Sequence, residues 1–394
     1  MNIDRSFDDL LRFNLSTVAT YSKAAVERFM KTIRFLMVGG FLGAGKTTTI
    51  AKLASHYVAQ GRNVALVTND QAYDLVDTHT LRSQGFNVGE VPGACFCCNF
   101  DDLIKTVETL SDSKVPDIII AEPVGSCTDL VATVIEPMKD LFGDRFELGP
   151  LVVLLKPEHG MKILTPENRK GFSPKAEYIF LKQLEEADSI VINKIDKLTQ
   201  EQQSELTKSV NQKFPSIPVI CASARENTNM DQVILLFDQP PRERSGMMDV
   251  DYETYAVGEA ELGWFNCKIN AASEERFPLD DLTQGLVRNI GATISELDCE
   301  VAHLKVIGQT MQNSAVANLV SSDGISELSL ASEIFTDNAE LLVNARVAAT
   351  PEQLEATIKK VSQALGQELG LTLTLSNIQC FRPSKPTPTH RVVN

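Results

Sequence analysis

At 394 residues the chain exceeds one ordinary domain, and its 43% hydrophobic and 23% charged content lies close to globular averages, which excludes wholesale disorder. Fifty-two acidic side chains against 37 basic ones give a net charge of −15, a field that repels phosphate backbones and anionic lipid heads and so speaks against nucleic-acid and membrane partners. The surplus is uneven, because residues 245–394 carry ten basic and twenty acidic groups, a net of −10.

Residues 1–32 repeat apolar positions at steps of three and four (Phe7, Leu10, Leu11, Leu15, Val18), the spacing of an amphipathic helical extension. From Ile33 the apolar run IRFLMVGG, a glycine-rich turn and a helical stretch beginning near Lys46 read as strand, loop and helix. The runs NVALVTND, DIIIAEP, PLVVLL, SIVINK and PVICASA repeat that succession with helical segments between them. Strands apolar on both faces that alternate with helices predict a mostly parallel α/β sheet covered on both sides, assigned to residues 33–238. Residues 239–250 are rich in proline, glycine and charge and read as a linker. Beyond it, GWFNCKIN, VAHLKVIG, NSAVANLV, ELLVNARVAA and LTLTLSNIQC alternate partially, with helices near 278–296 and 351–367. That pattern predicts a smaller α+β domain over 251–394, ending in an extended, proline-rich PSKPTPTH. No run reaches the roughly 20 apolar residues of a membrane span, and eight cysteines are too few for a disulfide scaffold, so a reducing cytoplasm is the expected setting.

GFLGAGKT, from Gly40 to Thr47, matches G-x-x-x-x-G-K-[ST] between a strand and a helix, the form of a P-loop. Backbone N–H groups around Gly43, Ala44 and Gly45, the helix N-terminus, the Lys46 ammonium and the hydroxyls of Thr47 and Thr48 suit a nucleotide triphosphate with Mg²⁺ on Thr47. The strand DIIIAEPVG delivers Glu122, which can reach Mg²⁺ through water, and Gly125, whose N–H can approach a γ-phosphate and move on hydrolysis. NKID supplies Asn193, Lys194 and Asp196. A carboxylate there pairs with two donors of guanine that adenine lacks, so GTP is favoured, with a backbone amide at Ser223 or Ala224 available for the guanine oxygen. Among Asn69, Asp70, Asp74 and Asp77, Asp70 is the preferred group to orient the attacking water, which makes Lys46, Thr47, Asp70 and Glu122 the expected catalytic set.

C-F-C-C places Cys95, Cys97 and Cys98 within four positions, three sulfur ligands for Zn²⁺, Cu⁺ or Co²⁺ with one position open. His79 is a candidate fourth ligand. Buried packing cysteines and a redox pair are the alternatives at this cluster. Cys127, Cys221, Cys267, Cys299 and Cys380 read as core residues, as does Trp264.

Taken in order, GGFLGAGKTT, ND, C-F-C-C, E-P-V-G and NKID resemble the CobW family of metallochaperone GTPases over about residues 33–235. The resemblance implies a cytoplasmic Mg²⁺-dependent GTPase that binds a transition metal, usually zinc or cobalt, and passes it to a client metalloprotein or a corrinoid-pathway enzyme; a homodimer is compatible with it. It also implies that the P-loop residues bind phosphate and Mg²⁺, that Glu122 and Gly125 sense the γ-phosphate, that Asn193 and Asp196 hold guanine, and that the three cysteines hold metal. The chain departs from the family pattern at Ala94, where glycine is common before the first cysteine, and at Lys156, where aspartate often ends the strand. Two other readings stand beside it: a GTP-dependent regulatory or redox-sensing module that docks on a corrinoid-dependent or other metalloenzyme, and a P-loop kinase for a small molecule.

Overall fold

A computed structural model describes residues 31–71, 76–112, 114–165, 173–322 and 324–393. The N-terminal helical expectation and Asp74 lie outside the described residues.

Seven parallel strands form the first sheet: β1 (Ile33–Gly40), β2 (Val64–Asp70), β3 (Asn87–Pro92), β4 (Ile118–Glu122), β5 (Phe146–Leu155), β6 (Ser189–Ile192) and β7 (Val219–Cys221), in the order β3-β2-β4-β1-β5-β6-β7. Alternate residues of β1 enter different cores. Leu36 and Val38 join Ile50, Leu53 and Tyr57 of helix α1 (Lys46–Ala59) on one face, while Phe35 and Met37 join Phe100, Leu103 and Val107 on the other. Burial on both faces is why these strands read as continuous apolar runs. The sequence reading omitted β3, an edge strand whose NVGEVP is too polar to stand out, and started β5 four residues late.

The second sheet is antiparallel. It contains β8 (Gly263–Pro278), β9 (Val301–Gln309), β10 (Ser314–Leu319), β11 (Glu327–Leu330), β12 (Phe335–Val347) and β13 (Thr372–Phe381) in the order β11-β10-β9-β12-β8-β13. The helices Leu279–Glu296 and Pro351–Leu369 pack on one face around Leu286, Ile290, Leu354 and Ile358. The chain is therefore a parallel, P-loop-type α/β sheet joined to a smaller antiparallel α+β unit. The short β11 was not anticipated.

Residues 239–250 contain no helix or strand. The helix Tyr252–Ala260 that follows packs against Pro174–Glu185 of the first unit, so closely that a Cβ on Gly258 would lie 2.4 Å from the Lys175 carbonyl. Tyr255, Leu262 and Trp264 complete the first unit's core rather than the second's. Among the described residues, no helix is long and apolar enough to cross a membrane.

Candidate functional site

β1 ends at the glycine-rich turn, and α1 starts at Lys46 with Gly45 in the left-handed region at φ 93°. A side chain at Gly45 would also collide with Asn193, its Cβ lying 2.4 Å from Nδ2. Lys46 Nζ donates to the Gly40 carbonyl at 3.0 Å and stands 4.0 Å from Glu122 Oε1. Thr47 Oγ1 lies 2.8 Å from Asp77 Oδ1 and 3.1 Å from Glu122 Oε1. Burial, with the nearby Asp77 charge, pushes the Glu122 carboxyl up to about 7. Burial also acts to raise Asp77, but the Lys305 ammonium overrides it and holds this carboxyl well below the usual range. Glu122 Oε2 is buried with no hydrogen-bond partner among the described residues. A hydroxyl and two carboxylates, one with an oxygen to spare, are the hard oxygen set that Mg²⁺ takes.

These groups open onto a cavity of about 480 Å³ lined also by Gly43, Thr48, Gly125, Lys194 and Asp196. Gly125 approaches the phosphate loop so closely that a Cβ would meet Leu42 Cδ2 at 2.8 Å. Asn193 ties two loops together: Nδ2 donates to the Ala44 carbonyl at 2.9 Å, and Oδ1 accepts from Ala224 N–H at 3.0 Å. Ser223 Oγ donates to Asp196 Oδ1 at 2.5 Å, while the Ser223 amide bonds to the Thr228 carbonyl. The Ser223 and Ala224 amides expected to be available are thus both engaged within the protein. Asp70 reaches the cavity too, but its carboxylate is held by Arg346 from β12, with Nη2 2.9 and 3.0 Å from its two oxygens. Of the acidic residues after β2 that are described, it is Asp77 that touches Thr47.

The second cluster lies on the loop between β3 and the helix Phe100–Leu110. The sulfurs of Cys95 and Cys97 are 2.9 Å apart, those of Cys95 and Cys98 3.4 Å, and those of Cys97 and Cys98 3.7 Å. All three are thiols. A tetrahedral zinc site with Zn–S near 2.3 Å has S···S edges of about 3.8 Å, so this triangle needs to open by less than about 1 Å. Hydrogen bonds from Cys127 first, then from Cys97 and Cys98, hold the Cys95 thiol well below its ordinary value against the effect of burial, whereas Cys98 is pushed up to about 11.

Cys127 is a core residue, as expected. It is buried, and its thiol packs against Cys95 and Cys97. The grouping of metal-ligating side chains among the described residues comprises Cys95, Cys97 and Cys98 without His79. Trp264 is buried, as read, and also carries the Arg346 guanidinium 4.0 Å above its ring.

Asn69 joins the two clusters, since it precedes Asp70 on β2 and clamps the thiol loop. Its Nδ2 donates to the Val91 and Ala94 carbonyls, both at 2.7 Å, and Oδ1 accepts from Phe96 N–H at 2.8 Å. Glu259, missed in the sequence for want of any local motif, accepts from Ser126 Oγ at 2.5 Å and Gln71 Nε2 at 3.0 Å. Its carboxyl is pushed up to about 8 by burial and by the Cys95 charge. Finally, residues 387–392 lie across the thiol loop as a strap. Thr387 N–H donates to Cys98 Sγ at 3.2 Å, Thr389 N–H to the Cys97 carbonyl at 2.8 Å, and Arg391 Nε to Asp129 at 2.7 Å.

Residues 34–221 match the model of the CobW/HypB/UreG nucleotide-binding domain. Over that span, a little under half of the chain, it is similar to the CobW/HypB/UreG family. It is 32% identical over 179 residues to the zinc chaperone YeiR of Escherichia coli, covering 44% of this chain and 49% of the relative. It is 30% identical over 187 residues to the zinc chaperone CobW of a Sinorhizobium species, covering 41% and 50%. The chain spans about half the length of these curated relatives. Among solved structures, Helicobacter pylori HypB in complex with nickel aligns at 16% identity and a TM-score of 0.39 over 54% of this chain and 93% of that one. Zn(II)-bound YjiA GTPase from E. coli aligns at 14% identity and a TM-score of 0.35 over 84% and 99%.

Proposed function

We propose that this protein is a GTP-hydrolysing metallochaperone that carries a transition metal on its thiol cluster and releases it to a client metalloprotein according to nucleotide state. The observation that carries the reading is the shared strand: consecutive residues of β2 reach both sites, Asn69 clamping the thiol loop and Asp70 facing the P-loop cavity. The match to that domain model supports nucleotide hydrolysis in general, and two relatives named as zinc chaperones favour zinc as cargo, with cobalt the alternative.

In this reading Gly43, Gly45, Lys46, Thr47 and Thr48 bind the phosphates, while Asp196, braced by Ser223, receives guanine. Asn193 acts by joining the phosphate and base loops, and Lys194 forms the cavity wall. Thr47, Glu122 and Asp77 would hold Mg²⁺, which neutralises phosphate charge when bound. Gly125 senses the terminal phosphate, and Ser126 and Cys127 follow it directly. A shift of this backbone on hydrolysis therefore moves a sulfur beside Cys95. Cys95, Cys97 and Cys98 take the metal, and Cys127 is placed to complete four sulfurs.

The test is titration of Zn²⁺ against a chromophoric chelator with a non-hydrolysable GTP analogue or with GDP. About one metal per chain and a difference of at least about tenfold between the states are expected, equivalent to about 1.4 kcal/mol of coupling. Equal affinities would remove nucleotide control from the reading, and absence of GTP binding would remove its first half.

A further inference from the structure

The second sheet turns one face to its helices and the other toward the phosphate loop. On that other face β12 and β9 pair Arg346 with His303 and Asn344 with Lys305. All four side chains line the cavity that holds Lys46, Thr47 and Glu122. The C-terminal part of the chain, acidic as a whole, thus presents cations toward a phosphate site.

Lys305 is the closest of these to the chemistry. Its Nζ lies 2.6 Å from Asp77 Oδ1, the same oxygen that Thr47 Oγ1 approaches at 2.8 Å. The two bonds placed end to end keep the ammonium within about 5.4 Å of the P-loop hydroxyl. Lysine is a compact charge on a flexible stem, so a small change of rotamer carries it from the carboxylate to a neighbouring anion. Arg346 lacks that freedom, since it is fully buried, stacked on Trp264 and bonded to Asp70 and Asn266.

We propose that Lys305 completes the nucleotide site from the C-terminal sheet, exchanging Asp77 for the terminal phosphate of a bound triphosphate. The proposal rests on reading the cavity as a GTP site. In hydrolysis the water oxygen bonds to the γ-phosphorus while the bond from that phosphorus to the bridging oxygen breaks. Its electron pair stays on the diphosphate, and the water proton passes to solvent. Charge on the transferring group and the bridging oxygen is what an ammonium here stabilises, the role an arginine finger plays when supplied in cis. A diphosphate has no terminal group for Lys305 to reach, so the contact separates GTP from GDP. It also makes the position of the second unit depend on the nucleotide.

The experiment compares wild type, Lys305→Ala, Lys305→Arg and Lys46→Ala by fluorescent-nucleotide binding and single-turnover GTP hydrolysis. Lys305→Ala is expected to slow hydrolysis about 100-fold and to weaken a non-hydrolysable triphosphate about tenfold. Its GDP affinity should stay within about twofold of wild type, which also shows that the pocket is folded, and Lys305→Arg should recover most of the loss. Lys305→Ala rates and triphosphate affinity equal to wild type, with Lys46→Ala defective in both, would overturn the inference alone. Equal weakening of GTP and GDP would overturn it too, leaving Lys305 as a partner of Asp77. A wild type that binds no GTP would end both the inference and the reading beneath it.

Discussion

Asn69→Ala removes three hydrogen bonds from a side chain that is only 6% exposed, and leaves the Val91 and Ala94 carbonyls and the Phe96 N–H without their partner. At about 1 kcal/mol net for each bond the loss comes to about 3 kcal/mol. The strands on either side are held by their own ladder between β2 and β3, so the cost falls on the loop that carries the thiols. If the metal must re-order that loop to bind, the whole amount appears as weaker binding, about 100-fold in Kd. Zn²⁺ competition against a chelator measures this, with GDP affinity as the control, expected to remain within about threefold because none of the clamp's three hydrogen bonds involves the P-loop. An Asn69→Asp variant, which keeps the acceptor and loses both donors, should fall between the two. Zinc affinity and Tm both unchanged in Asn69→Ala would refute the idea that this residue organises the thiol loop.

Other expectations concern the same region. In Co²⁺-loaded protein, Cys127→Ser should lower the thiolate charge-transfer absorbance by about a quarter, whereas Cys267→Ser, buried in the second core, should leave it unchanged. Glu122 is raised to about 7, and Glu186 and Glu259 to about 8, so between about pH 4.5 and 8 these three carboxyls hold protons in the folded protein that the unfolded chain has released. Their contribution to the stability of the metal- and nucleotide-free protein should therefore fall over that range, against the opposite contribution of His159 and His303, which burial holds well below the usual imidazole range. The Tm of Glu186→Gln should rise relative to wild type from about pH 4.5 to about 8, and a difference independent of pH would contradict the shift. Thr387→Pro deletes the N–H that donates to Cys98 and should speed alkylation of that thiol several-fold; an unaltered rate would mean that the strap does not shield it.

The first sheet was legible because parallel strands buried on both faces leave apolar runs, and because a phosphate loop requires glycines and a lysine at set spacing. The thiol triplet was legible for the same reason, its members being neighbours in the chain. What escaped depends on contacts across long sequence separations. Cys127 stands alone in the sequence and meets Cys95 only because β4 and β3 end on the same side of the sheet. Asp70 looked available until Arg346, 276 positions away, was found on it. Lys305 gave no sign of a phosphate-site role, for alternation within VAHLKVIG tells which residues share a face and not what that face meets. The edge strand β3 was lost to polarity, since half of its residues need not be buried.

The strap also changes how the two units can move. The chain crosses to the second sheet only in β8, after Trp264 has completed the first core, and it returns to the first unit with the residues after β13, where Arg391 donates to both Asp129 and the Met248 carbonyl. The cationic face of the second sheet meets the nucleotide cavity through Lys305 and Arg346, while the returning chain lies on the thiol loop. A shift of the second unit at the nucleotide cavity would therefore be felt by the peptide bonded to Cys97 and Cys98, because the second sheet and that peptide belong to the same returning chain.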